Sequence, residues 1–551
     1  MTEHFDFIIV GAGSAGCVLA NRLSANERYS VCLLEAGPED KSPLIKIPAG
    51  VATLIQWAKY NWKFDSASEP TLNNRNVYCP RGKTLGGSSA INAMVYIRGQ
   101  KEDYQRWLNE GADGWGFEDL LPHFKNTMQQ IDTPDVFDTE YHGFDGELKV
   151  SHLNLTQTIS NDFVQGAQQA GIPHNPDFNG AIQEGCGLYQ TTTFNGERCS
   201  TADAFLKPII GRPNLAIKTT AQVAKIIFES TDNSLVAKGI ELVNGQKFYA
   251  NKEVILCAGA FQSPQLLMLS GIGEQQHLQQ HGIACLKDSS EVGQNLQEHV
   301  DVVVVNRAKD KKIKKASLSF SPLMLPRIIK EAWAYFSFDK NTKQRKHGGL
   351  FSSCLIEAGG FIKSHDSVAT PDLQLMCTPG LFNDHGRDLL FMMGWGFSIH
   401  VTNLRPFSRG QVRLKDANPK SAPDIQLKML SDDRDFEPLI RGIRKAREIF
   451  AQPILQSYQP EEVFPGKDKQ SDEELKEFIR DKANHVYHPV SSCRMGSDPD
   501  SVVDLDLVVR GTDNLRVIDA SVFPSQISGN TNATVVAIAD KASQLILQKY
   551  N

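Results

Sequence analysis

The sequence predicts an α/β protein, α+β overall, with two domains. Three observations carry this. Apolar Phe7-Ile8-Ile9-Val10 runs into Gly11-Ala12-Gly13-Ser14-Ala15-Gly16, an amphipathic stretch and a second apolar run, Val31-Cys32-Leu33-Leu34, which reads as strand, tight turn, helix, strand. The 551 residues exceed what one small core needs. Between about 303 and 486 the pattern changes to period-two stretches such as Asp372-Leu373-Gln374-Leu375-Met376, the signature of an antiparallel sheet.

In the opening unit Gly11 permits the sharp turn, Gly13 lets backbone approach a pyrophosphate, and Gly16 lets helix pack on strand. The helix amino terminus turns unpaired N–H groups toward that anion. Val18, Leu19 and Leu23 give the helix its apolar side. Glu35 lies 19 residues after Gly16, where a carboxylate accepts from ribose hydroxyls and repels a 2′-phosphate, so NADP is disfavoured. This unit is Rossmann-like and predicts a bound dinucleotide; by itself it does not choose between FAD and NAD.

A net charge of −6, from 58 basic and 64 acidic residues, argues against a general nucleic-acid binder. The ten cysteines contain no Cys-x-x-Cys pair and read as reduced, buried thiols of a cytoplasmic protein. Met1 to Asp6 has no basic region and no apolar stretch, so no secretory signal is expected, and no apolar run is long enough to span a bilayer.

After Ala36-Gly37-Pro38, residues 41 to 79 are irregular and hold Trp57, Tyr60, Trp62 and Phe64. They read either as a lid over the cofactor or as a satellite core. A second glycine cluster follows, Arg81-Gly82-Lys83-Thr84-Leu85-Gly86-Gly87-Ser88-Ser89-Ala90-Ile91-Asn92-Ala93-Met94-Val95, with a helical pattern after its serines. It is another place for backbone N–H groups to face an anion, and it lacks the Gly-Lys-Ser/Thr of a Walker A loop. Two such cradles suggest one extended cofactor.

With the first cradle and Glu35, this Arg-Gly-x-x-Leu-Gly-Gly-Ser-Ser-x-x-Asn run resembles the glucose–methanol–choline oxidoreductase family. The resemblance continues through His142-Gly143-x-Asp145-Gly146, Asn195-Gly196-x-Arg198, Gly259-Ala260-Phe261-Gln262-Ser263-Pro264, Val292-Gly293-Gln294-Asn295-Leu296-Gln297 and a carboxy-terminal block. It is strongest with bacterial flavin-linked dehydrogenases of aliphatic alcohols and of choline. It implies FAD as cofactor and the contact residues Gly11, Gly13, Ser14, Ala15, Gly16, Glu35, Ala36, Arg81, Gly86, Gly87, Ser88, Asn92, Ala93, Met94 and Val95. Further on it implies Val223 beside the adenine, and Ala258, Gly259, Asp519, Ala520, Asn530, Ala533 and Thr534. Ile91 stands where some members carry a histidine bonded to FAD, so the FAD is expected to be non-covalent.

The resemblance assigns 1–158, 198–302 and 487–551 to the FAD-binding domain, and 159–197 and 303–486 to a substrate domain whose sheet floors the pocket. Asn214 to Lys218 and Glu253 to Cys257 read as strands of the first; Phe397 to Val401 and Gly410 to Leu414 read as strands of the second. Residues 307 to 338 mix Lys and Arg with apolar and aromatic residues. Two readings stay open: an interfacial patch that meets a membrane quinone, or a helical part of the substrate domain with solvated charges.

The carboxy-terminal block is His485-Val486-Tyr487-His488-Pro489 to Gly496, then Leu515 to Ser521, then Gly529-Asn530-Thr531-Asn532 opening a helix with Val535, Val536, Ile538 and Ala539 on its buried side. Its positive end suits the flavin pyrimidine ring. Oxidising an alcohol removes a proton from oxygen and a hydride from carbon. Histidine suits the first and flavin the second. By resemblance His488 is the general base and Asn532 holds the substrate oxygen, with Asn530 as the alternative. His485 and His488 are spaced like metal ligands but lack a third ligand nearby, and no metal is expected. Glu357 and Phe397 are candidates for the substrate pocket, and Trp395 and Phe351 with Phe397 point to an aliphatic or aromatic alcohol. Ser491-Ser492 stands where Gly-Thr is usual in the family. The expected reaction is oxidation of a primary alcohol to the aldehyde, with electrons passing to a quinone. Oxygen as acceptor, or a non-redox flavin lyase or photodecarboxylase, are the alternatives. Such an enzyme would be cytoplasmic, with peripheral contact at the inner membrane face. Oligomeric state is unreadable from the sequence.

Overall fold

The structure is a computed structural model that describes residues 3–132, 137–153, 156–230, 234–338 and 349–550. Met1 and Thr2 of the opening stretch lie outside these. The apolar run before the first glycines forms the strand Glu3–Val10, with its last four residues buried. It sits in the middle of an eight-stranded sheet ordered Leu215–Lys218, Val31–Leu34, Glu3–Val10, Lys247–Leu256, Leu235–Leu242, Val223–Ser230. Thr512–Asp513 and Leu515–Val517 add to its rim. The pairings around Glu3–Val10 are parallel, and the three strands from Val223 to Leu256 are antiparallel. Helix Ser14–Leu23 lies between this sheet and the long helix Asn532–Tyr550. Gly16 makes that closeness workable: a Cβ there would stand 1.9 Å from the Gly11 carbonyl oxygen.

The second sheet has seven strands and is antiparallel throughout: Pro460–Phe464, Val300–Ala308, Gly396–Asn403, Leu373–Thr378, Ala358–Ile362 and Gly185–Leu188, with Asn484–His485 also on Val300–Ala308. Strand Gly396–Asn403 is buried on both faces. Successive side chains alternate sides, so Phe397, Ile399 and Val401 enter the core under helices Phe436–Phe450 and Asp472–Lys482. Ser398, His400 and Thr402 therefore face the other way, and His400 reaches the cavity described below.

Two local expectations are corrected. Gln411–Arg413 pairs only with Asp424–Gln426 and is no strand of the large sheet. No helix follows the second glycine cluster: Gly87–Ala90 forms one short 3-10 turn, and the next helix is Lys101–Asn109. Positive φ at Gly86 and Gly87 breaks the helical register before it starts. Residues 41 to 79 do both things that were open. Ile45, Leu54 and Tyr60 make a small core with Ala90 and Ile91, while Ala49, Val51, Ala52 and Trp62 wall the cavity. The ten cysteines are unpaired and all but Cys285 are buried. Among the described residues no helix is long and apolar enough to cross a membrane.

Candidate active site

A cavity of about 920 Å³ runs between the two sheets. One end is lined by Glu35, Ala36, Ala221 and Val223, the middle by the two glycine loops, and the far end by His488 and Asn530. Beyond these lies an apolar chamber of Leu318, Phe320, Met324, Ile328, Leu355, Ile356, Met376, Leu381 and Met392.

At the first end the buried Glu35 carboxylate accepts from the amides of Ala12 (3.0 Å) and Gly37 (2.8 Å). Burial raises this carboxyl to about 7, against the pull of those two amides. In the middle, Gly11, Gly13, Ser14 and Ala15 face Gly87, Ser88, Asn92, Ala93, Met94 and Val95. The loops touch directly: the Gly86 amide donates to Ala12 O (2.8 Å), and a Cβ on Gly87 would lie 2.6 Å from the Gly13 Cα. Arg198, buried and lowered to about 9 by that burial, donates to Ser89 O and to both oxygens of Asn92. It pins the second loop from behind. Ala258, Gly259, Asp519 and Ala520 complete the wall. The Asp519 carboxylate accepts from the Gly259 amide (2.8 Å) and the Ser263 hydroxyl (2.6 Å).

Not every expected contact reaches the cavity. Gly16 is buried against Gly11, Gly86 against the first loop, and Ala533 in the core; none of these lines the space. Thr534 does not either: its hydroxyl pairs with Tyr104 (2.9 Å). The substrate-pocket residues are likewise corrected. Glu357 is fully buried outside the cavity, accepting from the Gln157 amide and the Ser160 and Ser353 hydroxyls. Phe397 lies on the core face of its strand against Phe450, Trp395 packs on the same core, and Phe351 sits on Tyr335.

At the far end two imidazoles stand at 90° to one another, with His299 Nδ1 3.0 Å from His488 Nδ1. His299 Nε2 lies 2.9 Å from the Ile527 carbonyl oxygen, so that nitrogen carries the proton. Burial lowers the His299 pKa, so the ring is neutral and its Nδ1 accepts. His488 Nδ1 then donates, and its Nε2 is left with a lone pair facing the Asn530 amide nitrogen (3.1 Å). The tautomer is fixed by this chain of partners. Burial also drives the His488 pKa well below its usual range, with His299, Arg81 and His485 adding to the effect.

Glu298 organises the pair from beneath. Its carboxylate accepts from the amides of His488 (2.7 Å) and His299 (2.9 Å). Its other oxygen holds His485 Nδ1 (2.9 Å), while His485 Nε2 meets Tyr78 O (3.0 Å). Both nitrogens of His485 thus face acceptors, with the Tyr487 amide also directed at Nδ1 (3.1 Å), and the Glu298 charge holds its pKa up to about 10 despite burial. Neither ring nitrogen of His485 is left for a metal.

Asn532, expected beside His488, instead begins the long helix and accepts from the Ser14 hydroxyl (2.6 Å). Asn530, two residues earlier in the turn, is the amide at the histidine. Gln374 Nε2 lies 3.4 Å from its oxygen and fixes its orientation. His299, Glu298 and His400 went unread in the sequence. The first two directly follow the quoted Val292-to-Gln297 motif, where an acid and a histidine in a run ending a loop were the available signal. His400 needed the strand's facing: its Nδ1 meets Asp301 (2.8 Å), and its buried Nε2 has no partner among the described residues.

Comparison with known proteins settles the family. Profiles described as GMC oxidoreductase match residues 5–301 and 406–539. The chain belongs to the GMC oxidoreductase family. It is 45% identical to an alcohol dehydrogenase [acceptor] of Pseudomonas putida over 99% of this chain and 96% of the relative. It is 38% identical to an oxygen-dependent choline dehydrogenase of Photobacterium profundum over 99% and 94%. Among solved structures, pyridoxine 4-oxidase from Mesorbium loti superposes with a TM-score of 0.84 at 29% identity, covering 98% of each chain. A formate oxidase from Aspergillus oryzae, studied for its FAD modification, gives 0.87 at 28%, covering 100% and 99%. GMC oxidoreductases are FAD enzymes, and this chain's residues fit that cofactor. A carboxylate waits at one end for ribose hydroxyls, glycines leave a cradle no side chain fills, and two helix amino termini bound the middle. Near the histidines the buried Arg81 guanidinium lines the cavity with Nε and Nη2 lacking partners, donors suited to an anionic or carbonyl-rich ring system.

Proposed function

We propose that this GMC oxidoreductase is an FAD-dependent alcohol dehydrogenase that turns a primary alcohol with an apolar tail into the aldehyde. The observation that carries the reading is the unprotonated Nε2 of His488, fixed in its tautomer, lining the cavity and met there by the Asn530 amide, which a substrate oxygen can share. Bound FAD supplies the two-electron acceptor that takes hydride from the alcohol carbon. The protein does the rest. His488 Nε2 accepts the hydroxyl proton, Asn530 orients the oxygen through its amide N–H, and the apolar chamber seats the tail and excludes water. The positive charge gained by His488 faces His299, whose Nδ1 accepts its other proton. Ile91, which lines the cavity and offers no nucleophile, supports a non-covalent FAD.

A quinone-type acceptor is favoured by the likeness to an alcohol dehydrogenase [acceptor]. Oxygen is the second reading, because other relatives are named as oxygen-dependent or as oxidases. Anaerobic addition of linear primary alcohols should bleach the yellow holoenzyme. Aeration without peroxide, with reoxidation by a quinone, supports the first acceptor. A flavin that no alcohol bleaches would overturn the reading.

A further inference from the structure

Helix Leu325–Tyr335 turns an apolar stripe outward. Leu325, Ile329, Trp333 and Phe336 recur at the spacing of one helix face and are exposed, Trp333 by 77%. Residues of this size are not left bare on one face without a reason. Two neighbouring segments extend the surface. Phe320 and Leu323 precede the helix, and Leu389 and Leu390 are exposed, Leu390 by 80%. The segments are tied together: the Phe320 amide donates to Met392 O (3.0 Å) and the Ser319 hydroxyl to Met393 O (2.9 Å).

The inner sides of the same segments line the cavity. Phe320, Met324, Ile328, Leu389 and Met392 wall its outer chamber. The bare surface is thus the rim of the opening that leads to His488.

Charge gives the occupant. Arg327 donates to Ser317 O (2.8 Å) and fastens the helix to the turn Ile313–Ala316. Around that turn Lys311, Lys312, Lys314 and Lys315 are exposed, as is Lys330 on the helix, and among the described residues none of the five is ion-paired. Of the nearby acids, Asp310 accepts from the Lys312 amide and Glu331 from the Leu350 amide, and among the described residues neither forms an ion pair with these lysines. A chain of net charge −6 therefore carries a basic margin beside its apolar rim.

We propose that this rim docks on an anionic lipid bilayer, with the apolar stripe in the acyl boundary and the lysines among the headgroups. A helix apolar on one side with Trp and Phe, bordered by lysines, lies in an interface in this way. The cavity then opens toward the hydrocarbon, where an apolar alcohol or a quinone is concentrated. The docking stands apart from the reaction assigned above, because vesicle binding is read without turnover.

The test is flotation of the holoenzyme with vesicles of phosphatidylcholine alone or with about one third phosphatidylglycerol. Wild type should float with the mixed vesicles and bind at least about tenfold less to phosphatidylcholine alone or at high salt. The double variant Ile329→Glu/Trp333→Glu should lose binding about tenfold or more while keeping its flavin absorbance and its turnover of a water-soluble alcohol. Reversing Lys311, Lys312, Lys314 and Lys315 to Glu should remove the preference for anionic lipid. Ile210→Glu, at an exposed residue outside this rim, should bind as wild type. The proposal is overturned if wild type does not float, if the double variant floats normally, or if Ile210→Glu loses as much. It is equally overturned if wild type is a dimer that the double variant splits, since the stripe then serves a second copy.

Discussion

His299 should control the rate without touching the alcohol. Replacing it by Phe keeps a flat ring in the buried site but removes the acceptor for His488 Nδ1–H. A buried donor left unpaired costs about 1–3 kcal/mol. His488 escapes that cost by moving its proton to Nε2, where the Asn530 amide must turn to accept it. A bias of that size corresponds to about a 5- to 150-fold loss of the productive tautomer. Flavin reduction in His299→Phe should therefore slow by about ten- to a hundredfold, against about 10²- to 10⁴-fold for His488→Ala. His299→Asn, whose side-chain oxygen can stand in for Nδ1, should recover most of the rate. The assay is anaerobic stopped-flow bleaching at saturating alcohol, with FAD content measured for each variant. Because the two residues act as one unit, the double variant His299→Phe/His488→Ala should be no slower than His488→Ala. Wild-type bleaching in His299→Phe, or full additivity in the double variant, would refute the tautomer chain.

Four further outcomes follow from the geometry. The depressed pKa of His488 means that the acid limb of kcat/KM should fall well below pH 6.5, and a limb at or above 6.5 would show the base to be solvated. His485 is held up to about 10 by Glu298, so its contribution to stability is fully present below the unfolded pKa of about 6.5 and lost as pH rises toward 10; thermal denaturation across that window should show a fall in stability that His485→Gln flattens. Ser491 sits at φ 73° with a buried hydroxyl that has no partner, so Ser491→Gly should stabilise by about 1 kcal/mol, read as a raised melting temperature. Gly87→Ala adds a Cβ 2.6 Å from Gly13 Cα at a φ of +52°, which should part the two loops and yield colourless protein on purification.

The Ser491 strain also answers what the departure from Gly-Thr does. Neither Ser491 nor Ser492 lines the cavity, and Ser492 donates to Ala260 O (2.5 Å). The substitution alters backbone cost behind the site rather than the surface a substrate meets.

The sequence by itself determined the parts whose meaning is local. Gly11 to Gly16 between two apolar runs specifies strand, turn and helix, because each signal lies within a few residues of the next. The order of motifs likewise pointed to the family. Tertiary structure decided what depends on facing and on distant partners. Phe397 and His400 lie three residues apart in one strand; only burial on both sides of that strand shows that the first enters the core and the second the cavity. Asn530 and Asn532 lie in one turn, and only the position where the long helix begins sends one to His488 and the other to Ser14. The proton on His488 is set by Ile527 through His299, across 228 and 189 residues of chain, a separation that no periodicity or spacing rule spans.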